Sequence, residues 1–148
     1  MNIRKATSTD KNEWVKMRSQ LWPDSSHLHP EQIDNYFDNC SNDIVEALLI
    51  ENQKAQVVGF IELNIRNFAE GSTEFKIPYV EGWFVRNEFR GHGFGKGLML
   101  AAEQWAKDKG FGEIASDTEI DNHTSIAMHS HLGYTEVERV VCFLKKLS

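Results

Sequence analysis

Cysteine is scarce in this chain: its 148 residues hold only Cys40 and Cys142, at no spacing that would ligate a metal. That excludes a disulfide scaffold and a cysteine-based metal site, and leaves two reduced structural thiols. Long apolar runs are missing as well. None approaches the ~20 residues that span a bilayer, so no membrane partner is expected. The N-terminus, Met1-Asn-Ile-Arg-Lys5, lacks an apolar signal core, which favours a cytoplasmic location. Nor is there an excess of positive charge. Lys and Arg number 16 against 22 Asp and Glu, a net charge of −6, which argues against nucleic acid as a partner. Repeats, low-complexity segments and linkers are absent, and 41 % apolar with 26 % charged residues are globular values. One domain over residues 1–148 is expected.

What is present centres on one stretch, from Tyr79 to Gly97. It begins as an apolar, aromatic-rich run, Tyr79 to Val85, that reads as a buried strand. It breaks at Arg86-Asn87-Glu88 and then supplies Gly91, Gly93, Gly95 and Gly97 at alternate positions. Leu98, Met99, Ala102, Trp105 and Ala106 follow at helical spacing. Strand, glycine loop and helix together aim free backbone N–H groups at an anion, and the helix dipole adds to the attraction. A phosphate-bearing ligand is therefore expected. A Walker loop would need Ser or Thr after Gly-Lys, but Gly97 follows Lys96. The dinucleotide fingerprint fails because Lys96 stands where its third glycine belongs.

Ile3 to Thr7 reads as a first strand. Ser8, Thr9 and Asp10 offer caps for a helix that carries Trp14, Val15, Arg18 and Leu21 and ends near Trp22-Pro23. Pro30 suits the first turn of a second helix through Ile33, Tyr36, Phe37 and Cys40. Glu46 to Glu51 and Gln56 to Arg66 read as antiparallel strands around a turn at Asn52-Gln53-Lys54, and Asn67 to Lys76 as a loop. After the central strand and helix, Gly110 stops the helix and Glu113 to Thr118 forms a short strand. Asn122 to Leu132 is a last helix. Tyr134 to Leu147, with Val137, Val140, Val141, Phe143 and Leu144, is expected to close the sheet.

Arg90-Gly-His-Gly-Phe-Gly95 resembles the Arg/Gln-x-x-Gly-x-Gly/Ala signature of the GCN5-related N-acetyltransferase superfamily, and the order of elements matches that family over nearly the whole chain. The resemblance implies an α/β fold with a central mixed sheet flanked by helices. Its two parallel strands, here Val80–Val85 and Glu113–Thr118, would splay apart to admit the pantetheine arm of acetyl-CoA. It implies that the loop from Arg90 through Gly91, His92, Gly93, Phe94 and Gly95 to Lys96 holds the pyrophosphate, and that backbone near Trp83, Phe84 and Val85 pairs with the arm's amides. Asn122, Met128-His129 and Gly133-Tyr134 are similar to the second family signature. Asn122 then binds the acetyl donor, and His129 stands where many relatives have a tyrosine that gives a proton to the departing thiolate. Helix packing is the other reading of His129; its neutral ring could still donate a hydrogen bond. The family uses no metal here, and it often dimerises, so a homodimer is expected.

Acetyl transfer needs an amine without its extra proton and a donor to the thioester oxygen. Glu81 in the first central strand and Asp117 at the end of the second would face the amine as anchors or as a route for its proton. No cysteine lies in these motifs, so direct transfer is expected. Gln20-Leu-Trp-Pro23, Val80-Glu-Gly-Trp-Phe-Val85, Ala115-Ser-Asp-Thr118 and Glu136-Val-Glu-Arg-Val140 resemble the aminoglycoside 6′-N-acetyltransferases, a resistance subgroup. That resemblance places Trp22, Glu81, Asp117 and Glu138 around an antibiotic, with Phe68 of the variable loop as a wall. A polycationic amino sugar suits carboxylates and an aromatic face. Polyamine or protein-amine acetylation, and an acyl-CoA-binding module without catalysis, remain the alternatives.

Overall fold

The computed structural model describes all 148 residues. Five strands form one sheet in chain order: β1 (Asn2–Lys5), β2 (Glu46–Glu51), β3 (Val57–Arg66), β4 (Ile77–Val85) and β5 (Ala115–Ser116). The first three junctions are antiparallel and β4 with β5 is parallel. Helices α1 (Lys11–Leu21) and α2 (His29–Phe37) cover one face; α3 (Phe94–Asp108) covers the other, and α4 (His123–His131) follows β5. On the first face Trp14, Met17 and Ile33 pack against Leu49, Phe60 and Phe84. On the second, Leu98, Met99 and Ala102 pack against Ile61, Leu63 and Val80. Being covered on both faces, β3 is buried continuously from Val58 to Asn64, which is why its sequence shows no clean alternation.

The expected boundaries hold to within two residues for α1, β2, β3, β4 and α4, and Gly110 ends α3 with φ +87°. Three expectations need correction. The second helix, expected through Cys40, ends at Phe37, because Asn39 turns left-handed at φ +59°. The strand expected over Glu113–Thr118 shrinks to Ala115–Ser116, because its only partners on β4 are Tyr79 and Val80. The closing strand from Tyr134 to Leu147 does not form. The amide of Tyr134 donates to the His129 carbonyl, and beyond it no backbone hydrogen bond ties the chain to the rest of the fold. A strand needs a partner ladder, and the two-residue β5 offers almost none. Val141, Phe143 and Leu144 consequently stand 78–92 % exposed, and the tail touches the fold at Gly71, beside Val137.

A bulge sets the candidate site. Glu62 pairs with Gly82 but Leu63 pairs with Val80, so Glu81 is the extra residue of β4. Val80 and Trp83 therefore turn toward α3, while Glu81 and Gly82 both turn toward α1 and α2. Regular alternation would have separated those two.

Beneath them Glu62 is buried, accepting from Trp14 Nε1 at 2.8 Å, with Arg18 Nε at 3.6 Å. Burial pushes its carboxyl from 4.5 up to about 7, outweighing the pull of Arg18, whose own charge burial also opposes. Folded Glu62 thus binds its proton more tightly than the unfolded chain does. Its contribution to stability is full below the unfolded value and is lost as pH rises through about 7. Glu62→Gln, which keeps an acceptor for Trp14, should remove a fall in unfolding free energy on the order of 3 kcal/mol over that range. Urea titrations at mildly acid and mildly alkaline pH would test this; parallel losses in both proteins would refute it.

Candidate functional site

The glycine loop is shaped by backbone conformations that side chains disfavour. Gly91 and Gly93 have φ of +83° and +86°, and a Cβ built at either meets nothing within 4 Å. Arg90 enters the loop with Nε donating to the Val85 carbonyl at 2.8 Å, and Phe94 packs on Phe89. α3 starts at Phe94, so the amides of Phe94, Gly95 and Lys96 lack the carbonyl four residues back that later amides use. Trp83 Nε1 donates to the Gly95 carbonyl at 3.0 Å and locks the helix start to β4. His92 and Lys96 are exposed beside the loop. Open space, left-handed glycines and unpaired amides at a helix start fit a pyrophosphate. Beyond Val80 the outer edge of β4, running past Trp83, Phe84 and Val85, has no strand beside it, which fits an amide-bearing arm. Asn122 is already in use: its Oδ1 accepts from the Ser125 amide at 3.0 Å and caps α4.

On the α1–α2 face a cavity of about 410 Å³ is lined by Trp22, Arg18, Asp43, Glu62 and Glu81, among others. Pro23 ends α1, and the buried His29 ring donates from Nε2 to the Trp22 carbonyl at 3.0 Å, which sets the Trp22 backbone. The indole then lies on Gly82. A Cβ there would stand 2.6 Å from its Cη2, so glycine is what lets Trp22 seat beside Glu81. The Arg18 guanidinium is 5.0 Å from the same indole.

Both carboxylates at the fork of β4 and β5 already have partners within the fold. Glu81 receives Arg66 Nη2 at 2.6 Å, Arg66 Nε at 2.8 Å and Asn64 Nδ2 at 2.8 Å. Asp117 Oδ2 receives the Tyr79 hydroxyl at 2.7 Å. The Arg66 Cζ lies 3.6 Å from the Tyr79 ring centroid, so one chain of contacts joins the two acids. Its carboxylate partner holds Arg66 well above the usual guanidinium range, and burial, then Asp117, raises the Tyr79 phenol. Sequence reasoning missed Asn64, Arg66, Tyr79 and Arg18. The available signal was alternation: Asn64 and Arg66 share a face of β3, but the bulge hides which β4 residue they meet.

His129 differs from expectation. Its Nδ1 lies 2.7 Å from the Ser125 carbonyl, which can only accept, so the ring proton sits there. Nε2 is 2.8 Å from Ser116 Oγ and accepts that hydroxyl in the neutral ring. A neutral His129 has no N–H left for a thiolate. It packs edge-on against Trp83 and Tyr134, at centroid distances of 5.2 and 5.6 Å, and its partner Ser116 is where β4 and β5 part. Phe68 is 66 % exposed and joins no buried cluster, and Glu138 sits on the exposed tail without a hydrogen bond or ion pair. The fold brings Trp22 and Glu81 to one cavity and links Glu81 to Asp117; it leaves Phe68 and Glu138 outside.

Residues 13–134 match the model of the acetyltransferase (GNAT) family. The chain belongs to that family. The GNAT match stops at Tyr134, where the packed body ends and the exposed tail begins. Over its full length the chain resembles the aminoglycoside N(6′)-acetyltransferase type 1 of Klebsiella aerogenes, with 36 % identity covering 98 % of this chain and 96 % of that one. The enzyme of the same description from Acinetobacter baumannii is 33 % identical over 99 % of both. Among solved GNAT structures, the apo aminoglycoside 6′-N-acetyltransferase AAC(6′)-IG from Acinetobacter haemolyticus superposes with a TM-score of 0.88 at 32 % identity, covering all of both chains. AAC(6′)-Iy, in complex with the bisubstrate analogue CoA-S-monomethyl-acetylneamine, gives 0.85 at 30 % identity, covering 99 % of this chain and 98 % of that one.

Proposed function

We propose that this chain is an aminoglycoside 6′-N-acetyltransferase, which moves acetyl from acetyl-CoA to the 6′-amine of the antibiotic and so confers resistance. The observation that carries the reading is the meeting of an anion loop, an unpaired strand edge and two carboxylates at one fork, in a chain alike from end to end to enzymes of that name. The loop from Arg90 to Lys96 takes the pyrophosphate, the β4 edge at Trp83–Val85 takes the arm, and the amide nitrogen of Asn122, free of its capping oxygen, supports the donor. Trp22 offers a sugar ring its face, Asp117 receives an ammonium group, and Glu81, paired with Arg66, stands beside Trp22 in the same wall. The amine attacks the thioester directly, with negative charge on its oxygen met by a strand amide. Two free, exposed thiols suit a reducing, cytoplasmic setting. The test is thiol release from acetyl-CoA in the presence of neomycin, with NMR placing the acetyl group. Release without acetyl on the 6′ nitrogen would overturn the assignment.

His129 enters this reading through Ser116, whose hydroxyl it holds at the fork. His129→Ala and Ser116→Ala should each lower kcat by about ten- to a hundredfold with little change in KM. Full turnover by both variants across the pH range would return the pair to packing.

The expected homodimer is supported by the tail. Val137, Val140, Val141, Phe143, Leu144 and Leu147 are 57–92 % exposed, more apolar surface than one copy leaves in water without reason. Two copies that pair through these tails would cover it, and the tail would bring Glu138 toward a carboxylate cluster. Light scattering should give twice the chain mass for the whole protein and the single mass after deletion of residues 135–148. A monomeric whole protein would refute the pairing.

A further inference from the structure

The Glu81–Arg66–Tyr79–Asp117 chain has a consequence for charge. Glu81 and Arg66 lie in a two-pronged ion pair and cancel one another, while Asp117 is hydrogen-bonded only to a neutral phenol and feels Arg66 through space. Arg66 is not a loose side chain. Its Nε and Nη2 engage both oxygens of Glu81, and its plane is pinned on Tyr79, which is 2 % exposed. An arriving ammonium would have to break two charge-assisted bonds and a stacking contact to displace it.

Resting on the aminoglycoside reading, we propose that Arg66 is a positioning and specificity-determining residue that neutralises Glu81, so that the fork presents one net negative charge, on Asp117, to the reacting ammonium. The physical reason lies in the chemistry. The reacting amine must be held as a cation and then lose its proton before it can attack. Two bare carboxylates would hold the ammonium form too well and oppose that loss. One carboxylate beside a neutral pair binds the cation and still lets the proton go. The other charged or titratable groups around the pair are Arg18 from α1, Asp43 before β2, Glu62 on β3 and Glu70 in the following loop. They are the same in every variant below, so the comparison isolates Arg66.

Arg66→Met uncovers the second charge. It should bind neomycin about five- to tenfold more tightly by calorimetry, with acetyl-CoA affinity unchanged. Its kcat near neutral pH should fall about tenfold while KM does not rise, and the acid limb of the kcat–pH profile should move up by about one unit. Arg66→Lys keeps the charge, though not the two-pronged grip, and should leave the acid limb close to its wild-type position. Arg66→Met/Glu81→Gln returns the fork to one negative charge and should move the limb back, which a merely structural role would not do. Weaker or unchanged neomycin binding in folded Arg66→Met, or an acid limb that stays in place, would overturn the proposal. Calorimetry needs no turnover, so an enzyme inert toward 6′-amines would fail the aminoglycoside reading while the charge claim was still measured.

Discussion

Gly93→Val is expected to abolish acetyl-CoA binding in a protein that stays folded. At φ +86° a β-branched residue is strained by roughly 1–3 kcal/mol, and the loop would relieve that strain by reorienting the amides that follow. The surroundings do not forbid the side chain, because a Cβ at Gly93 meets no atom within 4 Å. The penalty therefore falls on the ligand, whose phosphate oxygens would occupy that open space. Gly95 is a poorer test position: a side chain there would press on the Trp83 ring, whose Cζ2 lies 3.4 Å from the added Cβ, and disturb β4 as well. Calorimetry should show affinity lost by at least about a hundredfold, or roughly 3 kcal/mol, in a protein that still melts cooperatively, a few degrees lower. Wild-type affinity in the folded variant would mean that the pyrophosphate lies elsewhere.

The second large effect is regiochemical. Neomycin carries an amine at the 6′ position and paromomycin a hydroxyl on an otherwise matching skeleton. Both are polycations that Trp22 and Asp117 should accept alike. Orientation then decides which atom meets the thioester, and positioning supplies much of the rate. A hydroxyl needs a strong base to become a nucleophile, and the fork supplies none: Glu81 is held by Arg66 and Asn64, and Asp117 by Tyr79. Neomycin should be acetylated at least about a hundredfold faster in kcat/KM, with paromomycin a competitive inhibitor. Comparable turnover, or acetyl on a ring-II amine, would refute the 6′ assignment and leave the family unaffected. Rapid acetylation of spermidine at neomycin's rate would favour the broader amine-acetylating reading.

Local patterns carried the elements and the glycine loop into view. The periods of Trp14–Arg18 and Leu98–Ala106, the stops at Pro23 and Gly110, and the glycines at 91 and 93 each act over a few consecutive residues, so the chain alone determined α1, α3 and the turn of the glycine loop. Trp22 after α1, Glu81 within β4 and Asp117 after β5 were legible as residue types. Their state was not. Glu81 shares a face with Gly82 only because β4 bulges against Glu62 and Leu63, and that register depends on pairing between distant strands. The same register delivers Arg66 to Glu81 and Tyr79 to Asp117, turning two free acids into one neutral pair and one charge. His129 lost its spare N–H to the Ser125 carbonyl one helical turn before it, and its lone pair faces Ser116 across the fork. The tail shows the limit most plainly. Alternating valines encode a strand, but a strand exists only where a partner ladder does, and β5 supplies two residues of it.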